Sequence, residues 1–501
     1  MKIFLVSKIF LLLAYFSSFS QSNIRLEFSD ISEIELPFYI NLPLSNGEFC
    51  NYHHVVVRPD QNGIVALKLP IEKPGLISFS INRKKLPKSF NLYIEPNKNL
   101  VARIDDDYKI SFEGSLKDEN SFLNSLNRLG FPHGIGMNPK AATNLSKEYD
   151  PRLFIDSLKW LENNELTKLK KIVTSSPKAL SKTFVEMVKL DIHYYYLVVG
   201  AAALEIRFYD DLYNNHSMDS NLIATAKPFW EFLYSFENRS TTARFSFWYS
   251  YFIYDYIMLY KTFFLKENYD SSKQKSNHLQ IGFINANKYL DPKEKETFLT
   301  YTFLLWFQGT GNQTPILMDY FYTLRNDFPS SGYLKVIAPK ALEMEKSITN
   351  SVDYTNNNIV LLQDFENIDS FNVLMGNFKG KIVLIDLWAS WCGPCIEAFE
   401  NNYAELKKLQ IEHSDFEILF VSLDKMEQER VWKNTIYLKD LSGYHIIPNK
   451  KLLDEMKEII NWTGIPRYVI VNKQGKIISN PAPKPSDGNN LINELMAEIK
   501  R

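Results

Sequence analysis

Cysteine is scarce: Cys50, Cys392 and Cys395 are the only three in a chain of 501 residues. A small secreted scaffold held by disulfides needs many more, so that class is excluded. Histidine is also thin, with 8 in all, and only His413 and His445 lie beyond residue 351. Neither stands in a recognisable metal motif. Net charge is nearly absent, since 57 Lys and Arg against 58 Asp and Glu leave −1. No global field then draws in nucleic acid or an acidic membrane, and nucleic-acid binding is not expected. Long uninterrupted apolar runs are missing. The most apolar stretch, Phe245 to Phe264, carries Asp255, Lys261 and interspersed serines, and reads as a buried helix rather than a membrane span. Aromatic residues are what the chain has in quantity: 35 Phe, 28 Tyr and 8 Trp speak for large, well-filled cores. Length favours roughly three domains.

The first twenty residues have the form of an export signal. Lys2 and Lys8 supply positive charge, Ile9 to Phe16 form a short apolar run, and Ser18-Phe19-Ser20 offers a small-x-small cleavage site before Gln21. An uncleaved anchor or an N-terminal strand is the alternative. No cysteine lies at the cleavage point, so a lipid-modified N-terminal cysteine is not available, and the mature protein is expected to be soluble, in the periplasm or otherwise exported.

The rest divides into three. Residues 21–115 hold short β-type runs such as IRLEF, GIVALKL, GLISFSI and NLVARI, punctuated by Gly, Pro, Asn and Asp, which predicts an antiparallel β sandwich or barrel. Cys50 lies there near a turn, as a buried or idle thiol. Residues 116–350 turn helical, with N-terminal signals at Asp150-Pro151, Ser176-Pro177 and Asp291-Pro292. Phe154, Leu158, Leu161, Leu169 and Ile172 share one helical face. After a polar linker, Ser347 to Asn358, residues 351–501 alternate strand and helix: IVLIDLW, FEILFVSL, RYVIVN and KIIS are strands, with helices at Gln428–Leu438, Leu452–Ile460 and Asn489–Lys500. Parallel strands joined by helices and closed by a hairpin make an α/β domain.

Cys392-Gly393-Pro394-Cys395 follows the first of these strands and opens a helix. Unpaired backbone N–H groups and the positive end of the helix dipole stabilise a thiolate at Cys392. A lowered pKa makes that sulfur both a nucleophile at neutral pH and a good leaving group. Two intervening residues bring Cys395 back within one turn, where it can attack a mixed disulfide and release the substrate. Pro394 sits in the first turn, where its missing N–H costs little. A zinc half-site and a permanent disulfide are the alternatives. The first needs two further ligands, and the second closes too small a loop to add much stability.

WASWCGPC with its preceding strand, and Gly464-Ile465-Pro466-Arg467-Tyr468 further on, resemble the thioredoxin superfamily, and within it the exported TlpA/ResA-type thiol-disulfide oxidoreductases. The likeness covers about residues 355–501. The front of the chain has a more diffuse likeness to multidomain exported thioredoxin-like proteins of the Bacteroidetes. The resemblance implies a thioredoxin-like fold, an exposed attacking Cys392 and a buried resolving Cys395. It implies that Asp386 exchanges a proton with the resolving thiol, in keeping with the raised pKa of a carboxylate in an apolar strand. It also implies that Pro466 is a cis-proline, with the Ile465 backbone beside the disulfide for strand-like pairing with substrate. Trp391, Gly393 and Pro394 complete the expected substrate-binding set.

Two positions depart from that pattern. Where the exported branch often carries a glutamate and then a proline, this chain has Ala398 and Glu400, and Glu397 comes one position early. A one-residue shift turns a helical side chain by about 100°, so the proton duty is expected to fall to Asp386. The missing proline is expected to leave the helix without a kink. Peroxidase chemistry is disfavoured, because Ala389 and Ile385 stand where peroxiredoxins place Thr or Ser and Pro.

The sequence thus points to an exported enzyme, a reductase or isomerase of protein disulfides. It needs no cofactor beyond the redox-active Cys392–Cys395 disulfide and no metal. Protein thiols or disulfides are its partners, with a membrane thiol-disulfide carrier as electron donor. The alternative is a partner-binding or assembly protein whose redox site is secondary.

Overall fold

The computed structural model describes residues 21–501 apart from 32–33, 35, 37, 84–85, 127–138, 176–179, 209–219, 267–277, 311–315, 349–353, 357 and 488. The export signal, Ser176-Pro177 and much of the polar linker fall outside the described residues. The chain forms two compact units, one built mainly from residues 38–302 with 324–334, the other mainly from 335–501 with 303–323.

The first unit opens with eight strands: β1 (Gln21–Phe28), β2 (Phe38–Pro43), β3 (Phe49–Val57), β4 (Ile64–Pro70), β5 (Gly75–Arg83), β6 (Leu86–Ile94), β7 (Asn99–Ile104) and β8 (Ile110–Gly114). Alternation drives them: in β1, Ile24, Leu26 and Phe28 are buried while Asn23 and Arg25 face out. They form two open four-stranded sheets, ordered β4-β1-β7-β8 and β3-β2-β5-β6. The expectation of an antiparallel sandwich or barrel is corrected in two respects. The sheets do not close into a barrel, and β1 runs parallel to β7. A hairpin can only give antiparallel neighbours, whereas the chain reaches β7 after crossing through the other sheet. Cys50 lies buried in β3, outside any disulfide.

Helices follow. In Pro151–Ser175, Phe154, Leu158 and Leu169 are buried as the periodicity predicts, but Ile172 is exposed, along with most of the last turns. The aromatic stretch is buried, and it changes geometry midway, from an α-helix at Phe247–Asp255 to a π-helix at Tyr256–Phe264. Among the described residues no helix is long and apolar enough to cross a membrane.

The second unit centres on a six-stranded sheet, ordered β14-β13-β10-β11-β12-β9. Its strands are β9 (Ile359–Leu361), β10 (Ile382–Trp388), β11 (Phe416–Ser422), β12 (Gly443–Ile446), β13 (Arg467–Val471) and β14 (Ile477–Ser479). β10 pairs parallel with β11 and antiparallel with β13, so it is interior, and all seven of its residues are buried. A continuous apolar run is what a strand covered on both faces requires. Helices pack on the sheet through amphipathic stripes. Lys450–Ile460 buries Leu452, Met456 and Ile460, begins where the Asn449 side chain accepts from the Leu452 amide at 2.9 Å, and ends on left-handed Asn461. The short strands β9 and β12 and the helix Phe371–Gly376 are not among the elements read from the sequence. The helix Leu334–Ile348 is tied to this sheet unit by Glu343, whose carboxylate lies 2.8 Å from the Lys439 ammonium, itself 2.5 Å from Glu400.

Candidate active site

β10 delivers the chain to the redox turn. Cys392 caps the helix Gly393–Asn402, and its Sγ accepts a hydrogen bond from the Cys395 amide at 3.3 Å. The Cys392 carbonyl takes the amides of Cys395 and Ile396 at 3.0 and 3.1 Å. Cys392 and Cys395 are joined in a disulfide with S–S 2.03 Å. Cys392 keeps 5% of its surface and Cys395 none, so the expected exposed attacking cysteine is exposed only relative to its partner. Access is through the turn itself, where Trp391 is 43% exposed and Pro394 is also open. The Ile465–Pro466 peptide bond is cis, as is Asn480–Pro481.

A buried carboxylate fixes the turn from beneath. Asp424, just past β11, accepts from the Ser390 amide at 2.8 Å and from the Ser390 and Ser422 hydroxyls, each at 2.6 Å. Three donors on one buried carboxylate satisfy the charge and hold the residue two places before Cys392. Asp424 was not singled out from the sequence, because its partners become neighbours only when β10 and β11 pair.

Asp386 lies in the middle of β10 with no exposed surface. Its row across the sheet is Tyr468, Asp386, Phe420, His445. Burial in apolar surroundings pushes its pKa up to about 7, against the opposing effect of a hydrogen bond that its Oδ2 accepts from the Tyr403 hydroxyl. Oδ1 is buried and accepts none. At the far end of the row His445 is stacked on Phe420 at 4.7 Å, and its Nε2 lies 2.8 Å from the Leu441 carbonyl. Burial depresses its pKa to about 3, so it is neutral. Among the described residues no group of three or more His, Cys, Asp or Glu is placed to hold a metal ion.

Tyr403 joins this site through its bond to Asp386, which its place on the apolar stripe of a helix does not reveal. Cys395, Phe399 and Tyr403 follow at four-residue spacing on the buried face of the redox helix. Phe399 packs on Trp388 at 5.2 Å, and Tyr403 packs on Phe399 at 5.2 Å and on Phe420 at 5.9 Å. The absence of a proline was expected to leave this helix unbroken. It is interrupted nonetheless, between Asn402 and Ala404, with Tyr403 at φ −92° and ψ −5°. A buried ring and a bond to Asp386 hold that residue by tertiary contacts, and these override the local preference for a continuous helix. Glu397 is partly buried, and burial followed by the neighbouring Glu400 lifts its pKa to about 7, with Lys340 acting against the rise.

A strand that ends in a cysteine-capped helix, with a buried acid beneath and a cis-proline loop, defines a dithiol–disulfide domain of thioredoxin type. Residues 380–477 match the family described as Thioredoxin-like (Thioredoxin_8), so this part of the chain is thioredoxin-like. The chain is 26% identical over 114 residues to a thiol-disulfide oxidoreductase ResA of Bacillus thuringiensis, covering 22% of this chain and 60% of that one. It is 25% identical over 132 residues to a probable nucleoredoxin 3 of rice, Oryza sativa, covering 26% of each. Among solved structures, a putative thiol-disulfide oxidoreductase from Bacteroides vulgatus is 30% identical, covers 25% of this chain and 78% of its own, and has a TM-score of 0.21. The chain spans between 26% and 60% of the length of these curated relatives.

Proposed function

We propose that the protein is an exported thiol-disulfide oxidoreductase that reduces disulfides in other proteins. The observation that carries the reading is the Cys392–Cys395 pair at the start of a helix, with the Cys392 sulfur already accepting the Cys395 amide. In the reduced state that amide and the helix dipole favour a Cys392 thiolate. The thiolate attacks one sulfur of a substrate disulfide, a mixed disulfide forms, and the other substrate sulfur leaves and takes up a proton. Cys395 gives its proton to the Asp386 carboxylate, attacks the Cys392 sulfur, and expels the second substrate sulfur as a thiol. Two electrons pass to the substrate, and the Cys392–Cys395 disulfide remains. A dithiol carrier in the membrane returns the pair to its reduced form. No cofactor or metal enters. Trp391, Gly393, Pro394 and the Ile465–Pro466 segment form the surface against which the substrate chain lies. The relatives named as thiol-disulfide oxidoreductases support the activity, and the signal-like first twenty residues support the location.

Single substitutions test the reading. Cys392→Ser should abolish disulfide reduction, while Cys395→Ser should accumulate mixed disulfides on Cys392 that mass spectrometry identifies. Equilibration in glutathione buffers tests the direction, and a potential as oxidising as that of dedicated disulfide donors sinks the reductase assignment.

A further inference from the structure

Two buried tyrosines neighbour Asp386, and only one of their hydroxyls touches it. Tyr403 donates to Oδ2. Tyr468, its cross-strand partner on β13, turns its hydroxyl toward Tyr403 and has no hydrogen-bond partner of full geometry. Of the titratable groups on the elements packed around it, Cys395, Glu397 and Glu400 lie on the redox helix, Glu417 on β11, His445 on β12 and Arg467 on β13, and none is among the causes of the Asp386 shift, while Asp487 acts on Tyr468. Burial and Tyr403 alone set the acidity of Asp386, with no lysine or arginine contributing. Tyr403 itself stays protonated, because burial first and the adjoining carboxylate next push its pKa far above the usual phenol range. Toward the Asp386 carboxylate it therefore donates.

We infer that Tyr403 is a positioning residue for the dithiol chemistry. Its hydroxyl, brought to Oδ2 by the interruption of the redox helix, holds Asp386 as a carboxylate and leaves Oδ1 to receive the Cys395 proton. The inference rests on the oxidoreductase reading and adds the group that tunes its base. A neutral aromatic at this place would fill the same volume, yet the proton acceptor would be lost at neutral pH. A hydrogen bond to an ionised group favours the ionised form, so its removal shifts the titration of Asp386 upward, by about one to two pH units.

The experiment follows resolution of the mixed disulfide. The full-length chain carrying glutathione on Cys392 is mixed at pH values from 5 to about 10, and the rate of glutathione release is read in a single turnover. In the wild type the rate should rise through neutrality. In Tyr403→Phe the midpoint should move up by about one to two units, slowing release at pH 7 by roughly tenfold or more, with the plateau at high pH retained. Tyr468→Phe removes an equally buried hydroxyl that does not touch Asp386, and should leave the midpoint in place. In an Asp386→Asn background, Tyr403→Phe should cause no further shift. Should Tyr403→Phe misfold, Tyr403→Met removes the same donor and carries the same expectation. An active wild type whose Tyr403 variants keep its midpoint overturns this inference alone. A wild type that releases no glutathione at any pH overturns the oxidoreductase reading as well.

Discussion

At the scale of single residues, Asp386 and His445 hold opposite proton preferences in one row of the sheet. Asp386 is raised from the ordinary 3.8 to about 7, so between those values the folded state binds a proton that the unfolded state has released. Stability falls as pH rises through that window, by up to roughly 4 kcal/mol in all. His445 is lowered from 6.5 to about 3, so between those values the unfolded state binds the extra proton. Its contribution is present above about 6.5 and is lost as pH falls. The two slopes cancel where the windows overlap. Urea melts of the wild type should therefore be nearly flat from about pH 4 to 6.5, whereas Asp386→Asn should leave a stability that climbs with pH across that range. A wild-type curve as steep as that of the variant would show that Asp386 is not perturbed. Tyr468→Phe deletes a buried hydroxyl without a full partner, and should change stability by less than about 1 kcal/mol or raise it.

Legibility at this scale follows separation along the chain. Cys392 and Cys395 stand three apart, and their type and spacing alone announce a local dithiol. Asp386 is visible as an acid inside an apolar strand. Tyr403 meets Asp386 across 17 residues, and Asp424 meets Ser390 across 34, and only the packed sheet creates those partnerships. A tyrosine on the apolar stripe of a helix carries no sign of the bond its hydroxyl makes.

Elements show the same division. All eight front strands and the interior strands β10, β11 and β13 are marked by runs of β-branched and aromatic residues. β9 and β12 have only three and four residues, too few for any period to register. The interrupted redox helix is the clearest case of long-range contacts deciding local geometry. The turn in front of it depends on Asp424, and Asp424→Ala would strand the Ser390 amide and two hydroxyls in a buried site. That should destabilise the redox domain by about 2–4 kcal/mol in denaturant melts and slow reaction of the reduced dithiol with a thiol probe. Asp424→Asn, which keeps an acceptor, should recover part of both.

For the molecule as a whole, composition was informative about class, and the polar stretch before residue 359 about a change of architecture. It did not show that the helix Leu334–Ile348, ahead of that stretch, reaches the redox unit through Glu343 and Lys439. Lys439 has 7% of its side chain exposed and sits between two carboxylates. Glu343→Gln leaves it with Glu400 alone, and should cost about 1–3 kcal/mol in the melt of the redox unit, where an exposed pair would give almost nothing.

The six-stranded sheet ends at both sides in strands of three residues, Ile359–Leu361 and Ile477–Ser479. Each margin offers only a few unsatisfied backbone groups, and on one side Pro481 follows almost at once, without an N–H to give. A second copy that tried to extend the sheet would find no template long enough to grip. Edge-to-edge growth from this sheet therefore has little backbone to build on.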